Sequence, residues 1–151
     1  MIEFEAKNVE LPDLDFEIIE EWIELVADQY ECDVADIAYT FIDDEEMLRI
    51  NNEQLGHDSY TDIITFDDSI GSLLSAEIVI SLDTVASNAE KFGQPYRREL
   101  LRVIIHGILH LCGINDKGPG EREIMEAAEN RALELYDGVV AASNSADAGN
   151  N

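Results

Sequence analysis

PYRRELLRVIIHGILHLCGIND, residues 95–116, opens on a proline, is apolar over most of its circumference for the next four turns, and breaks at Gly113. Proline suits the first turn of a helix and glycine the position just past its end, so the stretch reads as one helix with marked ends. A helix apolar nearly all round has to be buried, and the remaining elements must supply its cover. Two of the chain's three histidines, His106 and His110, lie in it.

The cover is legible on both sides. Upstream, TDIITF and AEIVIS are rich in β-branched residues, are joined by the polar loop DDSIGSLLS, and read as two strands, followed by a helix over LDTVASNAEKFG that ends at Gly93. Nearer the N-terminus, IEFEAKNV alternates with period two and DIAYTFID reads as another strand. Between them a helix runs to about Tyr30, with Asp13 or Asp15 as its cap and Phe16, Ile19, Trp22, Ile23 and Val26 at helical spacing. DDEEMLRINNEQLG reads as a short helix with acids in its first turn. Downstream, a last helix is expected from about Gly120 to Tyr136, and the small, polar tail 138–151 is expected to be disordered. The mixed order of elements predicts one α+β (α/β) domain over residues 1–137: a mixed four-stranded sheet packed with about five helices, the site lying on the long central helix.

Composition narrows the classes of function. A chain of 151 residues suffices for one domain, and no apolar run approaches the roughly 20 residues a membrane helix needs. The N-terminus MIEFEAKNVE has no basic start and no apolar block, so a cytoplasmic protein without a membrane partner is expected. Cys32 and Cys112 lack CxxC spacing and read as reduced core thiols. The net charge of −25 opposes binding of polyanions and suits a saline cytoplasm, but it is unevenly spread. Residues 91–131 hold seven of the nine bases against six acids, which makes that segment +1 and leaves −26 for the rest.

Residues four apart share a helix face, so His106 and His110 can aim two imidazole nitrogens at one zinc ion, about 2.0 to 2.1 Å from each. The turn at Gly113 lets the chain double back, and Asp116, six residues past His110, then offers a third donor with a fourth position left open. Periodicity alone leaves core histidines and a metal site about equally supported. Gly107, costly in a helix interior, points to a close approach of the helix to a neighbour. It also stands where HExxH zinc peptidases carry their glutamate, which weighs against a peptidase.

The run HGILHLCGIND resembles the HGxLHLxGxDH signature of the YbeY family of endoribonucleases and ribosomal RNA maturation factors. INNEQLGHDSYTDIITF, AEIVIS and EIMEAAE resemble further segments of that family, in the same order, from about Ile50 to Tyr136. The resemblance implies zinc held by His106, His110 and the residue at 116, a histidine in most of the family and Asp116 here. Ligation by Asp116 is favoured over a place behind the ligands. The resemblance also implies a zinc-dependent, single-strand-specific endoribonuclease acting in maturation of the 16S rRNA 3′ end and in ribosome quality control. Its partners would be single-stranded RNA and the small ribosomal subunit, with no DNA.

An arginine usual in the family is replaced by Leu55. Arg102, one turn before His106, is the substitute cation for phosphate, with a salt bridge to Glu99 or a strand carboxylate as its equally weighted alternative. Arg97 and Arg98 are further candidates for phosphate contacts. Asp62 and Glu77 are read as partners of a histidine or as strand-end caps, and His57 as a solvated loop residue. A non-catalytic ribosome-assembly factor is the alternative function, and a zinc hydrolase of peptides or amides the third.

Overall fold

The computed structural model describes residues 1–55 and 61–149, excluding the side chains of residue 55 and residues 146–149. In chain order the elements are β1 (Ile2–Ala6), α1 (Phe16–Gln29), β2 (Asp33–Ile42), α2 (Asp44–Leu55), β3 (Ile63–Asp67), β4 (Leu73–Ser81), α3 (Leu82–Lys91), α4 (Tyr96–Leu111) and α5 (Glu121–Gly149). The strands form one sheet in the order β1-β2-β4-β3. β2 is parallel to both β1 and β4, while β3 pairs antiparallel with β4, so the sheet is mixed, as the sequence pattern predicts.

Alternation along β4 divides the core. Ile78 and Ile80 face the large core with α1, α4 and α5, whereas Val79 faces a smaller cluster with Ile42, Met47 and Ile64 that α2 helps to cover. On the large side, α4 buries ten of its residues, Leu100, Ile104, Ile105, Ile108 and Leu109 among them. Tyr39 in β2 donates its hydroxyl to the carbonyl of Ile104 at 2.9 Å, and Trp22 in α1 donates its indole N–H to the carbonyl of Ala132 at 2.7 Å. These two buried bonds tie α4 to the sheet and α5 to α1 at defined positions along their length. A Cβ added at Gly107 would lie 3.1 Å from Ile78 Cδ1 and 3.2 Å from Ile63 Cδ1. The expected close approach is therefore real: the backbone of α4 rides directly over β3 and β4.

The start of α1 and the end of α4 are where the sequence puts them. Asp15 caps α1 by accepting the Ile18 N–H, and Gly113, at φ +98°, turns the chain out of α4. The Gly113 N–H bonds to His110 O and the Ile114 N–H bonds back to Leu109 O, at 3.0 and 3.1 Å. A residue with a side chain adopts that backbone conformation only with strain.

The tail corrects the sequence pattern. Residues 138–149, expected to be disordered, continue α5. Val139 is buried and Val140 packs against the large core, and this tertiary packing outweighs a local composition, with Gly138, Ser143, Asn144 and Ser145, that disfavours helix. His57 and the last two residues lie outside the described residues. No helix among the described residues is long and apolar enough to cross a membrane. Both cysteines are free thiols packed at the edge of the large core, and burial followed by the neighbouring Cys32 thiol pushes Cys112 up to about 12.

Candidate active site

Arg102 and His106 stand one turn apart on α4 and meet the same side chain, Glu129 of α5. Glu129 Oε1 accepts from Arg102 Nη1 at 3.0 Å, and Glu129 Oε2 lies 2.8 Å from His106 Nδ1. Arg102 also donates from Nη2 to Asn130 Oδ1 at 2.8 Å. Glu129 is only 6% exposed, so its charge is stabilised by these two partners rather than by water.

The other imidazole nitrogen faces the doubled-back chain. His106 Nε2 lies 3.5 Å from Asp116 Oδ2, which is where the Gly113 turn delivers the aspartate. The structure therefore brings together His106 and Asp116, two of the three expected ligands. His110, one turn beyond His106, has an exposed side chain, and its charge is felt by Asp67 at the far end of β3. Among the described residues no three His, Cys, Asp or Glu are gathered tightly enough to enclose an ion.

Donor chemistry nonetheless fits zinc. Two ligands each about 2.1 Å from a tetrahedral ion stand roughly 3.4 Å apart. The spacing between His106 Nε2 and Asp116 Oδ2 matches that edge, and the second nitrogen of His106 is already engaged by a carboxylate, as is usual for a ligating histidine.

The site opens into a cleft of about 360 Å³ whose lining includes Asp62, Phe92, Arg102, His106, Arg122 and Glu129. Burial opposes the charged form of His106, but the hydrogen bond and charge of Glu129, with the charges of Asp116 and Asp62, outweigh it and raise the imidazole above its ordinary value. Burial lifts the Asp62 carboxyl above the usual carboxylate range against the pull of His106. It lifts Glu99 as well, opposed by Arg102 and reinforced by Asp62 and Glu129.

Several expectations are redistributed. Arg102 does form a salt bridge, but to Glu129 and not to Glu99 or a strand carboxylate. Arg98 is bound twice by Asp137, at 2.8 and 3.0 Å, which leaves Arg97 as the uncommitted member of that pair among the described residues. Asp62 is close enough to His106 for each to shift the other, whereas Glu77 is exposed and lies in a different depression, beside Glu3 and Asp36. The side chain of Leu55 lies outside the described set. Sequence reasoning missed Glu129. Its signal was an acid inside the stripe Met125, Ala128, Ala132, Leu133, Tyr136, where helical spacing calls for an apolar residue.

The family model described as Endoribonuclease YbeY matches residues 1–137. A Phocaeicola vulgatus protein named Endoribonuclease YbeY is 59% identical over 135 residues, covering 89% of this chain and 98% of its own. A Bacteroides fragilis protein of the same name is 55% identical over 134 residues, with 89% and 96% covered. The solution structure of TM1509 from Thermotoga maritima superposes with a TM-score of 0.66 at 26% identity, over 95% of this chain and 93% of that one.

Proposed function

The chain belongs to the YbeY family of endoribonucleases, and from that premise we propose that its cleft holds one zinc ion and cuts single-stranded RNA in 16S rRNA 3′-end maturation and ribosome quality control. The observation that carries the reading is the clamped imidazole: His106 held at Nδ1 by Glu129 with Nε2 turned to Asp116, beside a cleft that also contains Arg102.

His106, His110 and Asp116 would hold the ion. When bound, zinc supplies Lewis-acid polarisation of a phosphate oxygen and favours deprotonation of water. An aspartate in the set would add a negative charge that three neutral imidazoles would not.

The protein's own groups do the rest. Arg102 uses one N–H on Glu129 and one on Asn130. Among the described residues its other three N–H groups have no acceptor, which leaves them for a phosphodiester whose charge grows as the bond is cut. Arg122 lines the same cleft as a second cation, loosely paired to Glu126 at 3.5 Å. Phe92, 55% exposed, also lines the cleft, with the Lys91 ammonium 5.5 Å from its ring centroid. An exposed ring beside a cation offers a face for one unpaired base and a charge for its phosphate. A base locked in a duplex cannot use that face, which supports the reading of unpaired RNA as substrate.

The small ribosomal subunit as partner and the cytoplasm as location follow from this reading. The deciding experiment pairs metal analysis of the purified protein with cleavage of an unstructured RNA across salt concentrations. One zinc per chain and cleavage that disappears in His110→Ala without unfolding are expected. Fully zinc-loaded protein that leaves such RNA intact at every salt concentration would sink the nuclease reading, and ribosome association surviving His110→Ala would then favour a non-catalytic assembly factor.

A further inference from the structure

Glu129 does more than neutralise Arg102. We infer that it is a positioning residue whose carboxylate selects the Nδ1–H tautomer of His106, and that an amide of the same shape in its place would select the opposite one. The inference rests on the proposed role of His106 Nε2 as the atom that meets the metal.

The reasoning uses only donors and acceptors. Arg102 has no acceptor, so whatever stands opposite its Nη1 must accept. An ionised carboxylate accepts at both oxygens, and Glu129 sits with one oxygen on Arg102 and the other on His106 Nδ1. Nδ1 must then carry the proton, and in the neutral ring the lone pair is at Nε2, the nitrogen facing Asp116 at 3.5 Å. Glutamine cannot reproduce this. Its single carbonyl oxygen is claimed by Arg102, its amide nitrogen turns to His106, and Nδ1 can satisfy that donor only by accepting. The ring proton then moves to Nε2, where it blocks the lone pair that a metal requires. Turning the amide over leaves an N–H group against the guanidinium, two donors facing each other in a site where Glu129 is 6% exposed.

The same carboxylate contacts successive turns of α4, since residues 102 and 106 are four apart. The tautomer of the ring and the location of the phosphate-binding guanidinium are therefore set together, from a helix that contributes no metal ligand.

The test reads the ring directly in the full-length, metal-free protein, by imidazole nitrogen resonances recorded well above the imidazole titration range. His106 in the wild type is expected as the Nδ1–H tautomer, Glu129→Gln as Nε2–H, and Glu129→Asp, which keeps the carboxylate on a shorter stem, as Nδ1–H again. Zinc titration should follow, with Glu129→Gln weakening affinity about 10- to 100-fold and Glu129→Asp recovering part of it. An Nε2–H ring in the wild type, or an unchanged ring in Glu129→Gln, overturns the inference. Failure of the wild type to take up zinc overturns the functional reading instead, because the tautomer result does not depend on metal.

Discussion

Two buried glutamates, each bridging two basic side chains, stand in different parts of this fold and do different things. Glu46 in α2 accepts from Lys7 at 3.0 Å and from Arg49 at its Nε and Nη2. Glu129 in α5 accepts from Arg102 and contacts His106. Lys7 and Arg49 are 56% and 48% exposed and are full cations, so Glu46 simply completes a charge balance at the edge of the smaller core. Arg102 and His106 are 26% and 23% exposed and border a cleft, and one of the two partners is a ring that carries either one proton or two. An otherwise similar bridge becomes a candidate catalytic device when one partner is titratable, turns its second nitrogen to another carboxylate and borders a cleft.

The contrast can be broken by mutation, and the largest effect is expected at the ring itself. His106→Ala should abolish RNA cleavage while the protein remains folded, as measured by turnover alongside circular dichroism. Asp116→Ala should weaken zinc binding more than it lowers the melting temperature, since its only described tie is to His106. Glu129→Ala strands Arg102 and His106 without their acceptor and should cost about 3 kcal/mol in denaturant unfolding. Glu46→Ala releases two half-exposed cations to water and should cost about 1 kcal/mol or less. Equal losses at the two sites would erase the distinction.

Phe92→Ala should lower affinity for unstructured RNA by about 1 to 3 kcal/mol, with the fold unchanged and Phe92→Tyr close to wild type. The smallest expected effect is a pH dependence. The guanidinium of Arg49 and the ammonium of Lys7 outweigh burial and hold the Glu46 carboxyl down to about 2. A depressed folded value stabilises the protein above the unfolded value of about 4.3 and loses that contribution as pH falls toward the folded one. The stability difference between wild type and Glu46→Gln should accordingly shrink as pH drops through that window. A constant difference there would show that the bridge contributes nothing.

Much of the fold was readable in order. Period-two and helical patterns located four strands and five helices, and Pro95 and Gly113 marked the ends of the central helix. Gly107 announced the close passage over Ile63 and Ile78. The tail misled because its composition is that of a loop, and only the packing of Val139 and Val140 shows why α5 continues. Of the site, the histidine pair, the turn and Asp116 were visible because they lie within eleven consecutive residues. Glu129 was not, because its partners lie 23 and 27 positions away and no local spacing links them.

The sequence by itself determined the elements, their ends, and the residue types available for chemistry, because propensity, capping and burial pattern act over a few residues at a time. Tertiary structure decided which nitrogen of His106 faces which carboxylate, which arginines are already spent, and which carboxylate governs the ring. Those are questions of direction and distance between elements, and they are answered only when α4 and α5 pack against each other.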